Sequence, residues 1–312
     1  MRLRAKILLG LLLVLILFAM VRCAASGQQE PVQDKALTAT DTSGHIQAKD
    51  ISSHAAIAIN AKNGEVLFAK AAEDQKYPAS LTKLMTLYVA LLDQKDLSQK
   101  VELTSDVFTG LAEKDLATAG FQVGDKVTVE DLMYATVLPS GADAARALAI
   151  VTSGSEEAFV ERMNEEAAVL GMRGTYFVNV TGAHDPKHVS TVADMAKLMR
   201  AGLKNDTFAQ VIQSMHYTTE APRPLAKGLR LDHSLARYLD NFDRVMADPS
   251  FEILGGKTGY TGEAGLCLAS LGRDRESNDR AIVVTMDGKG TAGNYYPALK
   301  DAAVLYEGIF KG

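Results

Sequence analysis

The sequence predicts an α+β fold: an antiparallel sheet drawn from both chain ends, flanked by helices, with an all-α region inserted between them. Three observations carry that reading. Two short apolar runs flank an Asn-Gly turn near residue 60. A long stretch with helix start and stop signals follows, from 78 to 250. Two apolar runs of strand length then return before a closing helical segment. Strands grouped at the ends and helices grouped between them fit an α+β architecture better than an alternating one.

The elements follow in chain order. "HAAIAIN" and "EVLFAK" bracket "AKNG", and Asn63-Gly64 is a hairpin turn signal, so a strand pair is expected over 54–70. "PASLTKLMTLYVALLD" puts Pro78 near a helix start, with an apolar face after it. In "TVEDLMYATVL", Thr128 and Asp131 make a capping-box-like pair. In "VLPSGADAARAL", Pro139 stops an apolar run and an alanine-rich helix follows. The plain reading is an interhelical turn with Ser140 as N-cap. "SEEAFVERMNEEAAVLG" opens with a Ser cap and an acidic first turn and ends at Gly171. "STVADMAKLMRAGL" repeats that grammar. "EAGLCLASLG" and "RAIVVTMDG" read as strands across the charged turn "RDRESND", and "YPALKDAAVLYEGIF" closes the chain as a helix.

Composition and the N-terminus set the surroundings. The chain has 312 residues, a net charge of −5 and no long basic run, so nothing points to a nucleic-acid partner. Arg2, Arg4 and Lys6 precede an apolar run from Ile7 to Val21. That length suits a secretory h-region of roughly 7–15 residues better than a spanning helix of about 20. Small residues Cys23, Ala24 and Ala25 follow. Residues 1–25 therefore read as a signal peptide or, alternatively, an uncleaved N-terminal anchor. Arg22 is a poor neighbour for lipid modification at Cys23. Either way the rest of the chain is expected outside the cytoplasm, in the cell wall or periplasm. Residues 26–52 are rich in Ser, Gln, Thr and Asp and read as a flexible linker. That leaves 53–312 as the folded domain, with the helical insertion at about 84–250. Cys23 and Cys267 are the two cysteines, so cleavage leaves no internal disulfide. Cys267, in an apolar run, reads as a small buried hydrophobe.

Three short patterns can carry chemistry. The first is Ser80-Leu81-Thr82-Lys83. Residues i and i+3 share a helix face, so the Ser80 hydroxyl and the Lys83 amine can meet. A serine needs a neighbouring base to act as a nucleophile, and a desolvated lysine can be that base. A helix start also offers N–H groups suited to an oxyanion. Such a tetrad arises about once by chance in a chain like this. The second is Lys257-Thr258-Gly259 in "GGKTGYTGEAG", where glycines let a substrate backbone approach a strand and Lys257 with the Thr258 hydroxyl can hold a carboxylate. The third is Ser140 in its turn. "HDPKH", with His184, Asp185 and His188, and Asp194 beyond it, is the one metal-like cluster. Pro186 disrupts a helical ligand pair there and the spacing is not H-E-x-x-H, so a surface loop is the reading and no metal is expected.

The order Ser-x-x-Lys, Ser-Gly-x, Lys-Thr-Gly, with each piece in a fitting context, resembles the penicillin-recognising serine peptidases, specifically the low-molecular-mass D-alanyl-D-alanine carboxypeptidases. "AAIAINAKNGEVLFAK", "KVTVEDLMYATVLPSGADAA" and "MNEEAAVLGMRGTYFVNVTGAHDPKHVSTVADMAKL" extend the resemblance over roughly 54–310. It implies a β-lactamase/DD-peptidase-like fold. It also implies that Ser80 attacks the bond between the terminal D-alanines of a peptidoglycan stem peptide and that Lys83 takes its proton. Backbone N–H groups of Ser80 and Tyr260 would form the oxyanion hole, and Ser140 would pass a proton to the leaving D-alanine. Lys257 and Thr258 would bind the terminal carboxylate, with Gly259 and Tyr260 also in the substrate-binding strand. No cofactor is implied, and β-lactams should acylate Ser80. A β-lactamase shares the fold, but the Glu-bearing loop of the nearest class has no match here.

The sequence also departs from the pattern. Ala142 stands where the second motif normally has Asn, and a bound water is expected to substitute for the lost carboxamide. The segment "GTAGNYYPALKD" lacks the Arg that many members carry before the last helix. The β-rich second domain and C-terminal anchor of many members are expected to be missing, leaving the N-terminus as the membrane attachment if it is uncleaved. A weakly active or inactive homologue that binds peptidoglycan is the alternative reading.

Overall fold

The computed structural model describes residues 40–41, 46–220, 228–239 and 250–311. The expected leader, 1–25, and most of the expected linker lie outside the described residues.

Six strands form the main sheet: β1 (Thr40–Asp41), β2 (Ala55–Asn60), β3 (Val66–Lys70), β8 (Phe251–Thr261), β9 (Gly265–Asp274) and β10 (Arg280–Gly288). Their order is β1-β3-β2-β10-β9-β8, and every neighbouring pair is antiparallel. The sheet joins the two ends of the domain, because β2 from the N-terminal hairpin pairs with β10 from the C-terminal one.

Side chains alternate across a strand, so a strand buried on both faces is apolar throughout. In β2, Ala55, Ile57 and Ile59 enter one core while Ala56 and Ala58 enter another. In β10, Ile282, Val284 and Met286 divide from Ala281 and Val283 in the same way. This explains why these strands read as apolar runs with no polar alternation. Each fully buried Val, Leu or Ile contributes about 1.5–3 kcal/mol of transfer free energy.

The helices supply the two outer layers. They are α1 (Thr82–Asp93), α2 (Ser105–Phe108), α3 (Val129–Val137), α4 (Ala142–Ser153), α5 (Glu156–Val169), α6 (Val192–Gly202), α7 (Asp206–Gln213) and α8 (Tyr296–Phe310). The second core takes Leu299, Ala302 and Tyr306 of α8, and the first takes the inward faces of α1 and α3 to α7. The caps of α3 and α5 are those the sequence indicates. Thr128 and Asp131 form a reciprocal capping box, and the Ser155 and Thr191 side chains accept from Ala158 N and Asp194 N.

Three expectations need correction. The inserted region is not all-α: β4 (Lys100–Glu102) pairs with β5 (Lys126–Thr128), and β6 (His216–Thr218) with β7 (Arg230–Asp232). Three-residue strands are too short to show a period. The stretch expected as linker to residue 52 joins the fold before that point. Ile46 and Ile51 are buried, Ser52 N and Ser53 N donate to the Asp301 carboxylate at 2.8 Å, and Thr40–Asp41 pairs with β3. Two isoleucines in a polar stretch gave no apolar run to read. Ser140 is not the cap of α4. Gly141 holds that position, and Ser140 sits at φ +64. Among the described residues no helix is long and apolar enough to cross a membrane.

Candidate active site

Ser80 lies in a single 3-10 turn, Ala79–Leu81, that runs directly into α1. Ala79 adopts φ +46, a left-handed conformation that costs a non-glycine residue about 1–3 kcal/mol and persists only where the surroundings over-determine it. Two glycines provide those surroundings. A Cβ on Gly182 would stand 1.9 Å from the Ala79 carbonyl oxygen, and one on Gly259 would stand 3.0 Å from Ser80 N. The Ser80 turn is thus held between the 179–183 loop, at a distance only a glycine backbone allows, and strand β8, which approaches more closely than most side chains permit.

One helical turn on, Lys83 Nζ lies 3.1 Å from Ser80 Oγ and donates to the Thr181 carbonyl at 2.6 Å. Lys83 is 2% exposed. Burial lowers its pKa from the ordinary lysine range to about 7, partly opposed by the negative charge of Asp143. A neutral amine at that distance can accept the Ser80 proton while its own hydrogen stays on Thr181. The Asn179 side chain shapes the Thr181 loop, with Oδ1 accepting from Thr181 N and Gly182 N and Nδ2 donating to Ala183 O.

A cleft of about 590 Å³ opens over these groups, within the size range of small-molecule sites. Ser80, Lys83, Ser140, Thr258, Gly259 and Tyr260 all line it, so six of the seven sequence-selected residues share one wall system. Lys257 stands behind the wall. It is fully buried, its Nζ donates to the Thr258 carbonyl at 2.9 Å, and burial and the Lys83 charge hold its pKa well below the usual lysine range. Thr258 Oγ1 is 2.7 Å from Ser234 Oγ, and the Tyr295 side chain also bonds to Thr258. Three hydroxyls therefore gather at one end of the cleft, the kind of donor cluster that suits a carboxylate.

The opposite wall consists of Lys114–Ala117 and the Pro139–Ser140 turn. Ala142 is fully buried, and its N–H donates to the Ala117 carbonyl at 2.8 Å. The wall segment therefore lies directly against this position. His188, from the metal-like cluster, is committed to the fold: Val178 N donates to Nδ1 at 3.1 Å, and Nε2–H then faces Thr82 Oγ1 at 2.8 Å. Burial lowers its pKa to about 4. His184 lines the cleft, edge-on to Tyr77 at 4.7 Å. Thr181, Ser234, Tyr295 and Asp143 were not selected from the sequence. Each reaches the site through a fold-level contact that no local sequence pattern marks.

The family described as D-alanyl-D-alanine carboxypeptidase matches residues 41–290. The D-alanyl-D-alanine carboxypeptidase DacF of Bacillus subtilis is 32% identical over 73% of this chain and 56% of its own length. A D-alanyl-D-alanine carboxypeptidase of a Streptomyces species is 33% identical over 68% of this chain and 73% of its own. The chain thus spans little more than half the length of some of the curated relatives it matches. Among solved structures, a Streptomyces DD-transpeptidase superposes with a TM-score of 0.71 at 26% identity, covering 83% of this chain and 97% of that one. A D-alanyl-D-alanine carboxypeptidase from Mycobacterium tuberculosis gives 0.72 at 24% identity over 88% and 96%, and shows the fold alone.

Proposed function

The chain belongs to the D-alanyl-D-alanine carboxypeptidase family, and on that premise we propose that it removes the terminal D-alanine from peptidoglycan stem peptides through an acyl-enzyme on Ser80. The observation that carries the reading is the 3.1 Å contact between Ser80 Oγ and a buried Lys83 whose pKa falls to about 7. Ser80 attacks the carbonyl between the last two residues as Lys83 takes its proton. Backbone N–H groups of Ser80 and Tyr260 receive the oxyanion as it forms. Ser140 relays the proton to the leaving amine. Thr258, with Ser234 and Tyr295 beside it, holds the departing carboxylate, and Lys257 adds positive potential from behind. Water then hydrolyses the ester. A β-lactam presents the same carbonyl and carboxylate and stops at the acyl stage.

The substrate places the work of the cleft outside the cytoplasmic membrane, with residues 1–25 as leader or anchor and the folded domain beyond them. The test is direct. The purified protein should release D-alanine from a stem pentapeptide and take up fluorescent penicillin at Ser80. Absence of both results sinks the catalytic reading. Acylation without D-alanine release supports a second reading, a barely active peptidoglycan-binding homologue, which the lack of a carboxamide at Ala142 favours.

A further inference from the structure

The fold buries one carboxylate beside the cleft that the steps above do not use. Asp143 is fully buried in the first turn of α4. Its Oδ1 accepts from Ala119 N at 2.8 Å and its Oδ2 from Phe121 N at 3.3 Å. Those amides lie two and four residues beyond the wall segment Lys114–Ala117, and Ala142 N donates to the Ala117 carbonyl at 2.8 Å. Gly141, between Ser140 and this pair, has no room for a side chain: a Cβ would stand 2.8 Å from Asp143 Oδ1 and 2.7 Å from the Ala135 carbonyl. The Ser140 turn, the start of α4 and the far wall are therefore one tightly packed unit with a carboxylate at its centre.

That carboxylate is also an electrostatic neighbour of Lys83. Two charged groups act on Lys83 from the elements packed around it: Asp143 of α4, which favours the ammonium, and Lys257 of β8, which is coupled to it with the opposite sign. The cleft-lining groups His184, Lys114, Asp115 and Glu263 are exposed and stand at the solvent side. Burial strengthens the influence of Asp143, because little water screens it, and also raises the pKa of Asp143 itself; the backbone N–H groups of Ala119, Ala144, Phe121 and Asp143 work against that rise and favour the carboxylate.

We propose that Asp143 is a positioning residue for this reaction: it clamps the Lys114–Ala117 wall to the Ser140 turn and supplies the negative charge against which Lys83 must release its proton. This rests on Lys83 acting as the base for Ser80. A merely structural aspartate would affect the rate without touching the pH at which the base becomes active. An electrostatic partner must move that pH.

The experiment is the pH dependence of acylation by a fluorescent penicillin, measured on the full chain and on D143N and D143E. Removing the negative charge makes the ammonium form of Lys83 less stable, so the acidic limb of the D143N profile moves to lower pH. The ratio of its rate at pH 6 to its rate at pH 8 should rise at least about threefold over wild type, while its plateau falls about tenfold. In D143E the charge remains but reaches differently. The limb stays at its wild-type position, the plateau drops, and the Ala119 and Phe121 amides exchange faster with deuterium. A D143N limb that does not move, with or without a lower plateau, overturns the proposal. If D143N does not fold, D143E decides: a shifted limb, or an unchanged plateau and exchange, overturns it. A wild-type protein that is never acylated overturns the function proposed above instead, so the two failures are distinct.

Discussion

The two serines of the cleft stand in turns of similar strain, Ala79 at φ +46 before Ser80 and Ser140 itself at φ +64, yet they are held in different ways. The Ser80 turn is over-determined. It is sandwiched by Gly182 and Gly259, continues into a buried helix, and carries a lysine fixed by the Thr181 carbonyl. The Ser140 turn leans on one buried aspartate and two backbone contacts, Gly141 N to Ala135 O and Ala142 N to Ala117 O. One side of the cleft is built for precision at the reacting atoms. The other is a clamp whose failure should change rate and pH response before it abolishes chemistry.

The largest effects should come from the over-determined side. S80A removes the nucleophile, and fluorescent penicillin labelling should fall at least about 10⁴-fold with an unchanged melting temperature. K83A removes the base and should cost about 10²–10⁴-fold in acylation. The wild-type rate should depend on Lys83 being neutral. Its pKa is lowered, so the active form predominates above about pH 7, and the acylation rate should fall about tenfold per unit below that. A profile flat from pH 5 to 8 breaks the assignment of Lys83 as base.

Next comes the sandwich. G182A would place a Cβ 1.9 Å from the Ala79 carbonyl oxygen at a residue whose φ is +82, so backbone must move at the nucleophile. Acylation should drop more than about tenfold, with a stability loss of about 1–3 kcal/mol seen in thermal melts. A G182A protein with wild-type acylation would show that the turn tolerates slack, and the contrast between the two walls would weaken.

How much of this was legible follows from the range of each contact. Ser80 and Lys83 are i and i+3 across a 3-10 turn that runs straight into α1, so their meeting could be read from four letters, and the Thr128 capping box is equally local. The terminal strands were legible because burial on both faces makes them continuously apolar. The Thr181 carbonyl is 98 residues from Lys83, and Ala119 is 24 from Asp143, so nothing local encodes those bonds. Ser140 reads locally as a cap, but its left-handed φ passes the capping position to Gly141. The buried Ile46 and Ile51 were hidden in polar sequence, and the Lys-Val-Glu and Lys-Val-Thr strands were shorter than any period.

The smallest effect expected is at Ala142, and it tests the clamp side alone. Restoring the family's asparagine supplies a hydrogen-bonding group, which taken by itself should raise the rate. In this chain, however, Ala142 has no exposed surface, its N–H is held by Ala117, and Leu116 and Ala117 already form the wall. Adding a carboxamide to a filled position costs about 1–3 kcal/mol unless the wall yields. A142N should therefore lower the melting temperature and change acylation by no more than about threefold, because the wall must retreat before the carboxamide can reach the cleft. A142N combined with D143N should lose less stability than the sum of the two, since the second change loosens the wall the first must displace. A single A142N that instead gains tenfold or more in acylation without loss of stability would mean that the wall is mobile and the clamp weaker than its hydrogen bonds imply.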